Sequence, residues 1–507
     1  MQVIDSFLNK ITMYRLVLYY LAVLLGIAFI LSFFGLLPFT PVELLVSVVT
    51  IVLISWGANT LFGFVFNAPT NVESTFITAL ILALIITPQT FAHYSLFLPF
   101  LVWVSIIAMA SKFIFAIGNK HVFNPAAVAV VITAFAINQF ASWWIGSASM
   151  LPFVLIGGFL IVRKIRRFDM AFSFFIVALL TITISGLMSN QSIGSIMDQA
   201  LLGSPLFFFA FIMITEPLTT PPTRWLRASY GALVGFLFAP AIHLGSIYST
   251  PELALLVGNL YSYAISPKQK LILLLDRKEK VTPTIYDFVF KADKPFNFEP
   301  GQYLEWTLGH FRPDSRGNRR YFTIASSPTE NEIHLGVKFY EPASSFKKAL
   351  AFMSNGNELV ASQLAGDFVM PRDPSKKLVF IAGGIGVTPF RSMVKYLSDK
   401  GEKRDIVLLY SNRTADEIAF KEIFDEAGQK FGMKTVYAVT NADENLPAWC
   451  CGGMINAKMI MESVPDYKER MFYISGPKVM IDAFTITLQG LGVARNKIKT
   501  DFFPGFV

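Results

Sequence analysis

Long apolar runs fill the first half of the chain, and period-two alternation fills much of the second. Ten apolar segments lie near 14–36, 41–62, 74–89, 95–111, 124–142, 148–162, 169–187, 199–215, 228–246 and 251–266. A bilayer-crossing helix needs about 20 mostly apolar residues, so the pattern predicts about ten transmembrane helices. The polar run "SPKQK", from Ser266, closes the apolar half. Alternation such as "TIYDFVFKA" then predicts strands to about residue 370. Beyond that, "KLVFIA", "PFRSMVKYLSD", "DIVLLYS" and "AFKEIFDEAGQKF" alternate strand with helix, the mark of a parallel sheet with crossover helices. No long-period repeat is evident. The expected fold class is an α-helical membrane bundle fused to a β-barrel domain and an α/β parallel-sheet domain, with boundaries at 1–265, 266–370 and 371–507.

Charge refines this division. Charged residues make up 15% of the chain and hydrophobic residues 53%, whereas a soluble protein carries about 25% charge. Only 10 of the 43 Lys and Arg precede residue 266: Lys10, Arg15, Lys112, Lys120, Arg163, Lys164, Arg166, Arg167, Arg224 and Arg227. With the N-terminus inside, all of them fall on the inner side, and outer loops such as "LLPFTP" and "LMSNQSIGSI" carry none. The expected placement is a multi-pass cell-membrane protein whose N-terminus and C-terminal half are cytoplasmic. The first apolar run is long enough to span, so no cleavable leader is expected. Basic loops beside a membrane account for the net charge of +8, and no nucleic-acid partner is expected. Cys450 and Cys451 are the only cysteines, which excludes a disulfide framework and a four-thiolate iron–sulfur cluster. The apolar half has three histidines, His93, His121 and His243, where two bis-histidine haems need four.

Two stretches of the second half carry candidate chemistry. "KLVFIAGGIGVTPFRSMVKYL" runs from an apolar strand through Gly383, Gly384 and Gly386 to Thr388, Pro389 and a helix. Glycines let a backbone approach a diphosphate, and a helix N-terminus supplies free N–H groups and a favourable dipole. The bland alternative is an ordinary glycine turn. "GNRRYFTIASSP" offers Arg320 to a phosphate. Tyr321 and Phe322 alternate across a strand, so one can flank a flavin while the other packs inward. Thr323 places a small hydroxyl at the reactive edge of such a ring. Here the alternative is an edge strand with an exposed arginine.

The order of "FEPGQYLEW", "RRYFTIASSP", "HLGVKFYEPASSF", "FIAGGIGVTP", "YSNRT", "YISGPKVM" and "TDFFPGF" resembles the ferredoxin–NADP reductase family from about residue 270 to the end. The resemblance implies FAD held by Gly301, Gln302, Tyr303, Arg320, Tyr321, Phe322 and Thr323, with Val337, Lys338, Ser344 and Ser345 beside the flavin and its phosphates. It implies NAD(P)H at Gly383, Gly384, Gly386, Thr388, Gly476 and Pro477. Thr323 and Ser475 would be the catalytic pair; Ser475 stands where the family often has Cys. Phe503 or Phe506 would supply the terminal ring that shields the flavin. Ser411 and Arg413 in "YSNRT" lean towards accepting NADPH, since Arg suits a 2′-phosphate.

In the first half, "ESTFITALILALIITP", "GNKHVFNPAAVAVVITAF" and "FAFIMITEPLTTPPT" resemble the B subunit of sodium-translocating NADH:quinone reductase and the D subunit of the Rnf complex. That resemblance implies FMN or riboflavin in the bundle, with Asn124, Pro125, Thr215 and Glu216 as candidate contacts at polar breaks. The alternatives are a helix cap for Asn124-Pro125 and an interfacial carboxylate near Arg224 for Glu216. The flavin-bearing threonine of that family has no counterpart in "WWIGSASMLP", so a non-covalent flavin is expected. The chain reads as a membrane-bound NAD(P)H oxidoreductase passing electrons through FAD to a flavin in the bundle and on to an acceptor across the membrane. Its partners would be membrane lipid and an extracytoplasmic acceptor or a quinone. The rival readings are an NAD(P)H:quinone reductase acting within the membrane and a redox-gated ion or small-molecule transporter.

Overall fold

The computed structural model describes residues 8, 11, 13–66, 72–117, 120–165, 167–266, 270–311, 314, 317–441 and 446–501. They form two compact units that divide between Ser266 and Pro267.

The first unit is helical, and its polarity is turned inside out. The helix Pro41–Val65 buries Glu43, Ser47, Ile51, Ser55, Asn59 and Gly63, spaced four residues apart on one face. Its exposed face carries Leu45, Val49, Leu53, Trp56 and Phe64. Water would reject that face and lipid accepts it. Proline starts three helices, at Pro41, Pro125 and Pro251, where a missing N–H costs nothing. Thr40 and Glu43 close a capping box on the first of these.

Each of the ten expected segments contains helix, but among the described residues four helices are long and apolar enough to cross a membrane: Met13–Phe33, Pro41–Val65, Phe91–Ile114 and Phe168–Met188. The pair Ile193–Leu202 and Leu206–Met213, bent by 55°, makes a fifth if it is one span. The other helices, Val72–Ile85, Pro125–Ile137, Leu151–Ile165, Arg224–Phe238 and Pro251–Ile265, run 13 to 15 residues. At 1.5 Å per residue they reach about 20–23 Å against a core of about 30 Å. The apolar windows overran because apolarity continues past the helix ends, as at Ile86 before Pro88 and through the hairpin after Phe238.

A repeat is present in the order of elements, although the sequence showed none. Four helices, Met13–Phe33, Pro41–Val65, Val72–Ile85 and Phe91–Ile114, lead to a two-strand hairpin, β1 (Ala116–Ile117) and β2 (Lys120–His121), then to the proline-started helix Pro125–Ile137. The series recurs as Leu151–Ile165, Phe168–Met188, the bent pair, Arg224–Phe238, a hairpin of β3 (His243–Leu244) and β4 (Ile247–Tyr248), and Pro251–Ile265. In both copies the second helix packs on the fourth, and the fourth on the fifth.

The second unit has two sheets. Strands β5 (Leu271–Lys280), β6 (Ile285–Ala292), β7 (Tyr303–Thr307), β8 (Arg319–Thr323), β9 (Ile333–Lys338) and β10 (Glu358–Ala365) form an antiparallel sheet in the order β8-β7-β10-β5-β6-β9. Leu273, Phe288, Phe290, Trp306, Leu335 and Phe346 anchor its core. Strands β11 (Leu378–Gly383), β12 (Ile406–Asn412), β13 (Lys434–Val439), β14 (Cys450–Gly452), β15 (Met471–Ser475) and β16 (Ile498–Asp501) form a parallel sheet in the order β14-β13-β12-β11-β15-β16. The chain builds outward from β11 to β14, then returns to add β15 on the other side. The strand order reverses between β11 and β15, and ligands of such sheets sit at the carboxyl ends of the strands flanking that point.

Candidate functional site

Arg320 lies on β8 opposite Trp306 of β7, and its side chain is only 5% exposed. Its guanidinium lies 5.2 Å from the centre of the Phe346 ring and donates to the carbonyls of Gly317 at 3.0 Å and Arg319 at 2.7 Å. Phe346 belongs to the helix Ser345–Phe352, whose N-terminus is therefore beside the arginine. Ser344 caps that helix by accepting from the Lys347 N–H at 3.3 Å. The Ser345 hydroxyl meets Nε2 of His310 at 3.0 Å and accepts from the Asp314 N–H at 2.9 Å. The Asp314 carboxylate accepts from the Ser345 N–H at 3.0 Å and lies 3.4 Å from Arg320; a buried guanidinium, two serines and a helix N-terminus thus gather around an anion, a set suited to a diphosphate.

Strand alternation sorts the next residues. Phe322 packs with the sheet core and lies 6.0 Å from Phe346. Tyr321 faces the other way, edge-on to Tyr303 at 5.8 Å, and its hydroxyl donates to Glu305 at 2.8 Å. Gly301 precedes them with φ +97°; a Cβ there would lie 2.1 Å from the Phe368 carbonyl oxygen, so only glycine fits. Gln302 accepts from the Glu299 N–H at 2.8 Å and so holds the turn before Tyr303. Val337 is a core residue, 1% exposed, which leaves its backbone to meet a ligand. Lys338 pairs with Glu417 at 3.0 Å.

The glycine turn after β11 divides into two roles. Gly383 and Gly386 are needed for packing: a Cβ on Gly383 would lie 2.3 Å from Met480 Sδ, and one on Gly386 2.5 Å from the Ser475 carbonyl. These contacts press the turn against Gly476 and Pro477 after β15. Gly384 differs. Its φ is +55°, and the nearest atom to a Cβ there is Asn412 Oδ1 at 3.9 Å, so an open cradle faces it. Thr388 and Pro389 then start the helix Thr388–Lys400. Burial pushes the phenol of Tyr410, two residues before Asn412 on β12, up to about 12. Ser411 is half-buried and Arg413 exposed, at the end of β12.

Side-chain bonds join the two halves of the unit. Thr323 donates to Asp501 at 3.4 Å, and Asp501 is the ladder neighbour of Ser475. Arg391 pairs with Glu330 and donates to the Ala325 carbonyl at 3.0 Å, while Ser392 donates to the Ser326 carbonyl at 2.6 Å. Thr323 thus reaches the residue that lies beside Ser475 in the sheet. Phe503 and Phe506 lie outside the described residues.

In the helical unit, Asn124 Nδ2 donates to Glu216 Oε2 at 3.0 Å, and Glu216 Oε1 meets Nε2 of His121 at 2.9 Å. Asn124 Oδ1 caps its own helix through the Ala127 N–H at 3.1 Å, and the Asn124 N–H donates to Asn259 at 2.8 Å. Pro125 fills the first helical position, and the Thr215 hydroxyl donates back to the Phe211 carbonyl at 2.8 Å. Sequence reasoning missed His121 and Asn259 here, and His310, Asp314 and Asp501 in the second unit. Asp501 precedes the terminal "FFPGF" directly; the others carry no signal in a single sequence, because only folding brings them to their partners.

The residues of the second unit fit FAD and a nicotinamide dinucleotide, through the Arg320–Ser345 donor set and the Gly384 cradle. The candidate contacts of the helical unit fit a second flavin less well, since the polar atoms of Asn124 and Glu216 bond each other and their neighbours. Burial raises both thiols, of Cys450 and Cys451, and no group of three or more His, Cys, Asp or Glu that could hold a metal occurs among the described residues.

The model of the oxidoreductase NAD-binding domain matches residues 380–485, and that of the NQR2, RnfD, RnfE family matches residues 137–270. A flavohemoprotein of Oceanobacillus iheyensis is 25% identical over 238 residues, which is 45% of this chain and 57% of that protein. The phenol hydroxylase P5 protein of Acinetobacter pittii is 27% identical over 229 residues, 44% of this chain and 62% of that one. The chain thus spans less than two thirds of the length of these relatives. The flavohem-like FAD/NAD-binding domain of nitric oxide dioxygenase from Vibrio cholerae superposes with a TM-score of 0.41 and 18% identity, covering 46% of this chain and 98% of that one.

Proposed function

We propose that this protein is a membrane-bound NAD(P)H oxidoreductase that takes electrons from the nicotinamide cofactor onto FAD and delivers them, through its helical half, to an acceptor at or across the membrane. The observation that carries the reading is the joining, in one chain, of a diphosphate-binding donor set and a parallel sheet of reversing strand order to a bundle with lipid-type outer faces. The likeness of the two halves to an oxidoreductase NAD-binding domain and to the NQR2, RnfD, RnfE family supports it.

Bound FAD supplies the exchange between two-electron and one-electron transfer. Arg320, Ser344, Ser345 and the helix N-terminus beside them hold its diphosphate. Tyr321 and Tyr303 flank its ring, and Thr323 presents a hydroxyl at the ring edge. The Gly384 turn and the helix starting at Thr388 take the diphosphate of the nicotinamide cofactor, and Ser475 with Gly476 and Pro477 lines the entry of its reactive end. Arg413 suits a 2′-phosphate. FMN or riboflavin in the bundle, with ten crossings that put the N-terminus and the reductase half on the cytoplasmic side, belongs to the same proposal. Asn124 and Glu216 meet their hydrogen-bonding needs within the protein, so no step is drawn through them.

Vesicles containing the purified full chain test the reading. NADH or NADPH added outside should reduce an impermeant acceptor trapped inside, in vesicles whose reductase halves face outward. Oxidation of NADH with no reduction inside, but with reduction of a quinone in the bilayer, would replace the acceptor with a membrane quinone. Absence of any flavin after acid extraction would remove the proposal.

A further inference from the structure

Two segments of the helical unit gather positive charge at one corner. Residues 163–170 and 219–230 hold Arg163, Lys164, Arg166, Arg167, Arg224 and Arg227 against one acid, Asp169. Folding ties the segments together. The Arg167 guanidinium donates to the Pro221 carbonyl at 3.1 Å, and Arg227 pairs with Asp169 at 2.7 Å. Lys164 is buried and donates to the Leu8 carbonyl at 2.6 Å. With Asp169 engaged by Arg227, the corner keeps a surplus of positive charge.

Helix stability does not explain where these cations stand. Arg163, in the last turn of the helix Leu151–Ile165, suits its dipole. Arg224 and Arg227 are the first and fourth residues of the helix Arg224–Phe238, whose first turn carries no acid, and cations there oppose the dipole. A charge bias that only sets orientation can be spread over any short loop; here it is drawn to one place.

The surface that adjoins the corner is apolar and continuous. Phe159 precedes Arg163 by one helical turn, and Phe168 follows Arg167 directly. Their rings lie 5.6 Å apart, and Phe172 stacks on Phe168 at 6.1 Å. Phe159 and Phe172 are exposed, as is Ile176 one turn beyond. Trp225, 84% exposed between Arg224 and Arg227, is the residue type that membranes hold at headgroup level.

We propose that this corner binds one anionic phospholipid of the phosphatidylglycerol class, with its phosphate at Arg163, Arg167 and Arg224 and an acyl chain along Phe159, Phe168 and Phe172. The planar fork of arginine matches a phosphate, and basic pockets between membrane helices hold such headgroups. A free phosphate would use the arginines and leave the rings bare; the continuity of the two surfaces selects the lipid. The inference rests on the membrane placement of the helical half and is independent of the path of the electrons.

The purified full chain, washed free of lipid in a neutral detergent, provides the test. Short-chain phosphatidylglycerol, the phosphatidylcholine with the same chains, and inorganic phosphate are titrated separately, and the thermal midpoint of the helical unit is followed by tryptophan fluorescence. Phosphatidylglycerol should raise the midpoint at concentrations about ten-fold or more below those of phosphatidylcholine, and inorganic phosphate should not raise it at those concentrations. Arg163→Gln combined with Arg224→Gln should abolish the advantage, whereas the double change to Lys should keep most of it. Phe159→Ala should weaken both lipids alike. Arg15→Gln removes a cation that pairs with Glu73, outside the two segments, at 2.8 Å, and should leave the advantage intact. Equal responses to the two lipids, an advantage that survives the double change to Gln, or one lost as fully in Arg15→Gln would overturn the site. Inorganic phosphate acting as well as phosphatidylglycerol would overturn the lipid as its occupant. Recovery of the chain from cells without detergent would instead overturn the membrane placement beneath it.

Discussion

Glu216 accepts from the side chain of Asn124 at 3.0 Å and so ties the start of one proline-led helix, in the first copy of the repeat, to the end of the bent pair in the second. Its other oxygen meets His121 at 2.9 Å. Both carboxylate oxygens are therefore committed to groups from the other copy.

Glu216→Ala removes the acceptor of both groups at once. Each donor left buried without a partner costs about 1–3 kcal/mol, so the helical unit should lose several degrees in its thermal transition, followed by tryptophan fluorescence in detergent. Glu216→Gln keeps an acceptor for Asn124 and should recover part of the loss. An unchanged transition in Glu216→Ala would show that the tie bears no load.

Gly384 and Gly386 sit two residues apart and should respond differently to Ala. Gly386→Ala forces a Cβ to within 2.5 Å of the Ser475 carbonyl; the two turns must part, and the melting temperature of the second unit should fall. Gly384→Ala meets open space but carries the strain of φ +55°, about 1 kcal/mol. Its larger effect should be on NAD(P)H: a raised KM with bound FAD unaltered. Loss of FAD from Gly384→Ala would contradict this division.

Arg320→Gln removes the charged donor nearest the helix Ser345–Phe352. Hydrogen bonds to charged groups contribute about 1.5–3 kcal/mol, so FAD should bind about 10- to 100-fold more weakly and be lost on gel filtration. Arg320→Lys should restore charge without the fork and retain an intermediate fraction. Full flavin content in Arg320→Gln would move the phosphate site elsewhere.

Asp466 gives the second unit an acid limit. The Arg470 guanidinium, with Lys377 behind it, holds its carboxyl down at about 2, below the roughly 3.9 of a free aspartate. A folded value below the unfolded one means that the stabilisation is complete above about pH 4 and is lost as pH falls towards 2. Asp466→Asn should lower the melting temperature at pH 7 and flatten its fall in acid; parallel curves for the two proteins would refute the assignment.

Much of this was legible from the chain, and for identifiable reasons. Alternation and glycine placement announce strands and turns locally, so β8, β11 and the turn at Gly384 could be located before folding. Arg320 stood out because the order of motifs around it resembles that of the ferredoxin–NADP reductase family. What could not be read depends on long-range contact. The charge partners of Ser345 and Thr323, namely Asp314 and Asp501, are 31 and 178 residues away. The repeat escaped notice because its two copies share element order and packing but few residue identities; lipid asks only for apolarity, so sequence drifts while architecture stays. The packing role of Gly383 and Gly386 could not be read, since one sequence cannot tell a glycine that clears space for a ligand from one that clears space for a neighbouring turn.

The repeating series contains five helices, an odd number. Each hairpin has its own carboxylate partner set close by in the chain or in space: Glu216, with His121 and Asn124 at 2.9 and 3.0 Å, and Glu252, with the indole of Trp143 at 2.7 Å.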